Sequence, residues 1–134
     1  MKATPKLLLA VFLGGAIGSV LRFGIGVFIP SIYSLVFVNL AGAAFLGFVN
    51  GRGSRGFGLF STHVSRGFWG AGFAGGFTTM SGLAQVFALQ VLAGQLLVAA
   101  AYIAAQFFLG VAVYVLAFKL AGRVPQAPLE DGSL

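Results

Sequence analysis

No cysteine occurs among the 134 residues, so disulfides, thiolate metal sites and cysteine nucleophiles drop out together. Acidic residues are almost as scarce. Asp and Glu total 2, Glu130 and Asp131, both near the C-terminus. Histidine is represented by His63 alone, in a basic stretch where a solvated ring is the plain reading. There is no acidic pair, no Ser-His-Asp order, no His cluster and no phosphate loop. General acid–base and nucleophilic catalysis therefore lack candidates, and the chain is expected not to be an enzyme. The longest absence says most: the 52 residues from Gly67 to Phe118 contain no Asp, Glu, Lys, Arg or His.

What is present is apolar. The chain is 59% hydrophobic and 7% charged, with a mean hydropathy of +1.03, too little polar surface to coat a soluble globule. It reads as an all-α integral membrane protein. A crossing takes about 20 apolar residues, and four segments qualify: 7–29, 31–49, 67–92 and 95–118. The expectation is a four-helix bundle with a broken third helix, a single transmembrane domain over residues 1–123 and a disordered cytoplasmic tail over 124–134.

The formal net charge of +6 could suggest a nucleic-acid partner, but the bases are not gathered on a soluble element able to follow a phosphate backbone. Membrane topology explains them better. With four crossings, Lys2, Lys6, Arg52, Arg55, Arg66, Lys119 and Arg123 all fall on one side, and the two opposite connections carry none. The positive-inside rule then puts both termini in the cytoplasm of a cell that holds the chain in its inner (plasma) membrane. Arg22 stands apart, two-thirds of the way through the first segment. Either it snorkels to the outer interface, or it is a cation at the mouth of an anion path.

Polar residues inside the segments form a short inventory. Gly14, Gly18 and Arg22 fall at spacings of four, as do Ala43 and Gly47, giving stripes along which helix backbones can approach. Asn39 lies near the middle of the second segment, either as interhelical glue or as an amide donor to an anion. Asn50 follows eleven residues later on the same face. In the third segment Gly75 and Gly76 weaken the helix beside Thr78, Thr79 and Ser81. Those hydroxyls can bond back to their own backbone, or the unwound backbone can hold a small cation. The fourth segment carries one polar stripe, Tyr102, Gln106, Gly110 and Tyr114. Trp69 and Tyr33 read as interfacial anchors.

Three strings, Gly14-Gly15-Ala16-Ile17-Gly18-Ser19-Val20-Leu21-Arg22, Phe37-Val38-Asn39-Leu40-Ala41-Gly42 and Gly75-Gly76-Phe77-Thr78-Thr79-Met80-Ser81, give the chain a family resemblance. In order and spacing it resembles the Fluc (CrcB-type) fluoride channels over the whole four-segment span. The resemblance implies a passive fluoride-selective channel that exports fluoride and reduces its toxicity. Such channels are dual-topology dimers of antiparallel subunits in a lipid membrane. It implies a fluoride path with Asn39 as the lining amide, Arg22 as the basic residue of the first motif, Thr79 and Ser81 at the break, and Tyr102 and Gln106 on the fourth helix. It also implies a structural Na+ at the dimer centre, held by the backbone carbonyls of Gly75 and Thr78.

Some positions depart from that pattern. Met80 and Leu83 stand where the family usually has Phe, whose ring edges carry partial positive charge. Leu35 stands for a usual Thr, and Gln106 for a usual Ser. The one-sided charge count also suits a fixed orientation rather than insertion both ways. The expectation is therefore a heterodimer with an oppositely oriented paralogue in preference to an antiparallel homodimer. A non-conducting structural or regulatory partner subunit is the alternative. A small four-helix drug exporter would need an embedded carboxylate, and every segment lacks one.

Overall fold

A computed structural model describes residues 4–29, 31–56 and 58–122; the tail expected over 124–134 lies outside them. The described chain is helical, with no strand among the described residues. Helix α1 spans Pro5–Phe28. Thr4 caps it, its hydroxyl accepting the Leu7 N–H at 3.3 Å, and Pro5 supplies a φ already suited to a first turn. It stops at Ile29, extended at φ −117°, ψ 133°, because the residue before a proline is pushed out of the α region. Helix α2 spans Ser31–Gly53, four residues beyond the boundary expected at Val49. Gly51 lets its last turns approach another helix.

A connection follows with Gly56 at φ 72° and Gly58 at φ 73° in the left-handed region, a 3-10 turn at Gly58–Phe60 and helix α3 at His63–Arg66. Thr62 caps α3 by accepting the Ser65 N–H at 3.1 Å, so helix begins earlier than the expected start at Gly67. A π-helical stretch, Gly67–Ala74, continues into helix α4, Gly75–Phe77. Thr78 (φ −80°, ψ 162°) and Thr79 (φ −143°, ψ 116°) are extended, and helix α5 runs over Met80–Leu92. After a turn at Gly94, φ 75°, helix α6 spans Leu96–Ala121.

Among the described residues, three helices are long and apolar enough to cross a membrane: Pro5–Phe28, Ile32–Gly53 and Leu96–Ala121. The segment expected over 67–92 is divided between residues 63–77 and α5, whose 13 residues rise only about 20 Å.

Backbone-to-backbone contact holds the halves together. A Cβ on Gly18 would stand 2.8 Å from the Phe77 nitrogen, one on Gly72 2.7 Å from the Val11 carbonyl oxygen, and one on Gly76 2.9 Å from Gly15 Cα. Residue numbers rise together across these contacts, so α1 and the π stretch run parallel. The same holds for α2 and α6, where a Cβ on Gly47 would come within 3.0 Å of Tyr114 and one on Gly51 within 3.0 Å of Ala121 Cβ. The small-residue stripes thus serve packing by dispersion at close range. Trp69 belongs to the packing too: it meets Phe68 edge-on at 4.8 Å, and also Phe45, Phe60 and Phe73. Its ring is half-buried within this aromatic cluster. Outward, Phe12, Phe23, Phe28 and Leu97 are largely exposed, the arrangement expected of a surface whose solvent is hydrocarbon.

Candidate functional site at the helix break

The extended pair Thr78–Thr79 would leave backbone groups bare inside an apolar chain, and the residues around it supply their partners. Asn39, from the middle of α2, clamps the break from the side. Its Oδ1 accepts the Thr79 N–H at 2.8 Å and its Nδ2 donates to the Thr79 carbonyl at 3.3 Å. Thr79 then caps α5, its Oγ1 accepting the Gly82 N–H at 3.1 Å and lying 3.1 Å from Ser81 Oγ. Thr78 Oγ1 donates back to the Ala74 carbonyl at 3.0 Å. One hydroxyl of this string thus bonds back along its own helix, while those of Thr79 and Ser81 stand at the restart. Ser19 Oγ of α1 donates to the Gly76 carbonyl at 3.4 Å.

Two carbonyls gain from these diversions. In an unbroken helix Gly75 would accept from the Thr79 N–H and Thr78 from the Gly82 N–H. The first N–H goes to Asn39 and the second to Thr79 Oγ1, so the oxygens of Gly75 and Thr78 lose their helical donors. These residues share the lining of an open, mostly apolar groove of about 350 Å³ with Gly42, Ala43, Leu46 and Ala74. Two such oxygens are the hard, neutral donors that suit a small alkali cation, so the residues fit the Na+ that the resemblance implies. No cluster of three or more His, Cys, Asp or Glu exists among the described residues.

On the other side of the break, a second open cavity of about 320 Å³ brings together Arg22 from α1, Ser34 and Leu35 from α2, and Thr79, Ser81 and Gln85 from the break and α5. Arg22 is half-buried along this wall. Like any helix start, that of α5 leaves the Met80 and Ser81 N–H groups without an intrahelical acceptor and a partial positive charge at the restart. Guanidinium, hydroxyls and helix start together make a donor-rich, cation-bearing chamber beside the clamped threonine. Ser34 and Gln85 were not singled out from the sequence. Gln85 follows Ser81 by one helical turn, a signal that was readable once α5 was known to restart at Met80.

Met80 and Leu83 part company: Met80 is 75% exposed and Leu83 8%, so one side chain at the usual Phe positions faces outward and the other packs inside. Tyr102 and Gln106 do not line the Arg22 cavity. On α6, the Tyr102 hydroxyl and Gln106 Oε1 are buried without a hydrogen-bond partner in the structure, as is Gln90 Oε1 of α5. Further along the same stripe, Tyr114 accepts from Asn50 Nδ2 at 3.1 Å. Asn39 and Asn50 share a face of α2, yet the first meets the break and the second meets α6.

Comparison with known proteins matches residues 9–118 to the family described as "CrcB-like protein, Camphor Resistance (CrcB)". Among curated proteins, the chain is 41% identical over 106 residues to "Fluoride-specific ion channel FluC 1" of Methanospirillum hungatei, covering 79% of this chain and 71% of that one. It is 35% identical over 127 residues to "Fluoride-specific ion channel FluC 2" of Bacillus subtilis, covering 88% of each. It is also 32% identical over 122 residues to a "Fluoride-specific ion channel FluC" of Thermus thermophilus, covering 87% of this chain and 94% of that one.

Proposed function

Because the chain belongs to the CrcB family and its curated relatives are named fluoride-specific ion channels, we propose that it is a fluoride-selective passive channel subunit that lets fluoride leave the cytoplasm and so reduces its toxicity. The observation that carries this reading is the clamped break: Asn39 on Thr79, with Arg22, Thr79 and Ser81 lining one cavity. Fluoride is small and strongly hydrated, so a path must replace its water with several donors at close quarters. Here Arg22 draws the anion into the chamber, the Ser81 and Thr79 hydroxyls and the helix start take over its hydrogen bonds, and the second amide hydrogen of Asn39 is available beside them. The buried, unpartnered Tyr102 hydroxyl supplies a further donor farther along α6, with Gln106 beside it.

The path is completed by a second subunit. The groove lined by Gly42, Ala43, Ala74, Gly75 and Thr78 is shaped for close backbone approach by a related chain. Gly75 and Thr78 would hold a Na+, which would supply a fixed positive charge near the anion's route. Since Met80 and Leu83 offer no ring edge, the partner is an oppositely oriented paralogue that supplies the Phe side chains, and this chain is the copy with both termini in the cytoplasm of the inner membrane. The one-sided cations support a fixed-orientation heterodimer over a homodimer.

Fluoride efflux from liposomes, followed with a fluoride electrode, tests the proposal. The chain co-reconstituted with an inverted relative is expected to release fluoride, and the chain alone little. Strong efflux by the chain alone rejects the obligate pairing. Vesicles that stay fluoride-tight with every inverted relative reject conduction and leave the non-conducting partner role.

A further inference from the structure

Lys and Arg total 8, and five of them, Lys6, Arg52, Arg55, Arg66 and Lys119, gather at one end of the molecule. The parallel pairing of α2 with α6 places Arg52 and Lys119 in the last turns of adjacent helices. Arg55 Nη2 comes 3.5 Å from the point where a Gly122 Cβ would stand, and the Lys119 carbonyl oxygen lies 3.4 Å from that same point. The Arg66 stem lies over α2, its Cδ 2.8 Å from a Cβ built on Gly53. Gly67 against the Leu7 side chain brings the start of α1, with Lys6, to this end as well.

Nothing among the described residues neutralises these charges, since both carboxylates, Glu130 and Asp131, fall outside them. The C-termini of α2 and α6 offer only about half a unit of negative charge each. Lys6, Arg55, Arg66 and Lys119 are exposed. Beside them stand exposed apolar side chains: Leu59 is 65% exposed, Leu120 53% and Val64 39%.

We propose that this end binds the phosphate headgroups of anionic phospholipids, drawn from the surrounding bilayer. The cations meet the phosphate, and Leu59, Val64 and Leu120 meet the upper acyl chain. A dissolved phosphate would use the first set and leave the second bare to water, which is why the lipid is the favoured source. The assignment does not rest on fluoride conduction.

Native mass spectrometry of the intact chain in neutral detergent tests it, with phosphatidylglycerol and phosphatidylcholine of identical acyl chains as the two lipid probes. The chain should retain phosphatidylglycerol on the order of fivefold more than phosphatidylcholine. Arg55→Gln combined with Lys119→Gln should bring the ratio towards one, Arg55→Lys combined with Lys119→Arg should preserve it, and the single exposed change Arg66→Gln should lower it partway. Millimolar inorganic phosphate should leave the bound lipid in place. Equal retention of both lipids overturns the proposal, as does a ratio indifferent to the glutamine changes. Displacement of the lipid by inorganic phosphate also overturns it, because the end would then be a free-anion site.

Discussion

The two arms on either side of Thr78 and Thr79 are held in opposite ways. Residues 63–77 are wedged against α1 by glycine-on-backbone contacts in which Gly14, Gly18, Gly72 and Gly76 leave no room for a Cβ. Helix α5 buries Leu83 but leaves Met80 75%, Leu89 59% and Leu92 84% exposed. The first arm is positioned by its own chain, and the outer face of the second is left for lipid or for another subunit. The break therefore joins a tightly packed half to a more exposed one, and Asn39 holds the point between them.

Gly18→Val should break the tight side most severely. The new side chain would meet the backbone of Phe73 and Phe77, costing about 3 kcal/mol or more, visible as loss of a monodisperse folded species in detergent. Asn39→Ala comes next. It leaves the Thr79 N–H and carbonyl unpaired at a cost of about 1–3 kcal/mol, so the thermal midpoint should fall and fluoride efflux from the assembled pair should drop. Met80→Phe with Leu83→Phe sharpens the contrast on the loose side: if ring edges are what this chain lacks, efflux by the chain alone should rise, while the buried position costs about 1–3 kcal/mol of stability through overpacking. Tyr114→Phe removes only the Asn50 bond, worth about 1 kcal/mol, and should leave efflux unchanged. Gly24→Ala is the control for the glycine argument. A Cβ there meets nothing within 4 Å, so the midpoint should stay level or rise by about the 0.8–1 kcal/mol that separates Gly from Ala in a helix.

Much of the site was legible from residue type and spacing. Asn39 at mid-helix and the Gly75–Ser81 string announced a polar feature at membrane depth, because buried polar groups in hydrocarbon are tolerated only with partners. The α1 ending was equally readable, since Pro30 forbids an α conformation before it. Other features were not. The extension of α2 to Gly53 depends on the approach of α6, and a glycine reads the same in a loop as in a helix contact. Gln85 entered the Arg22 cavity only through the restart of α5, and the contact of Trp69 with Phe45 comes from a part of the chain that its own segment does not reveal.

Composition alone determined that the chain is helical and apolar enough to live in a membrane, since a 52-residue stretch free of acidic, basic and histidine side chains has no stable surface in water. The order of its motifs determined the family. Only the tertiary structure decided where the freed backbone groups go: Asn39 and Thr79 are 40 residues apart in sequence, and nothing local to either dictates that one amide takes both hydrogen-bonding groups of the other residue. That pairing requires α2 to lie against the break, where Gly42 leaves no room for a Cβ beside the Thr78 side chain, a consequence of packing that no single segment contains.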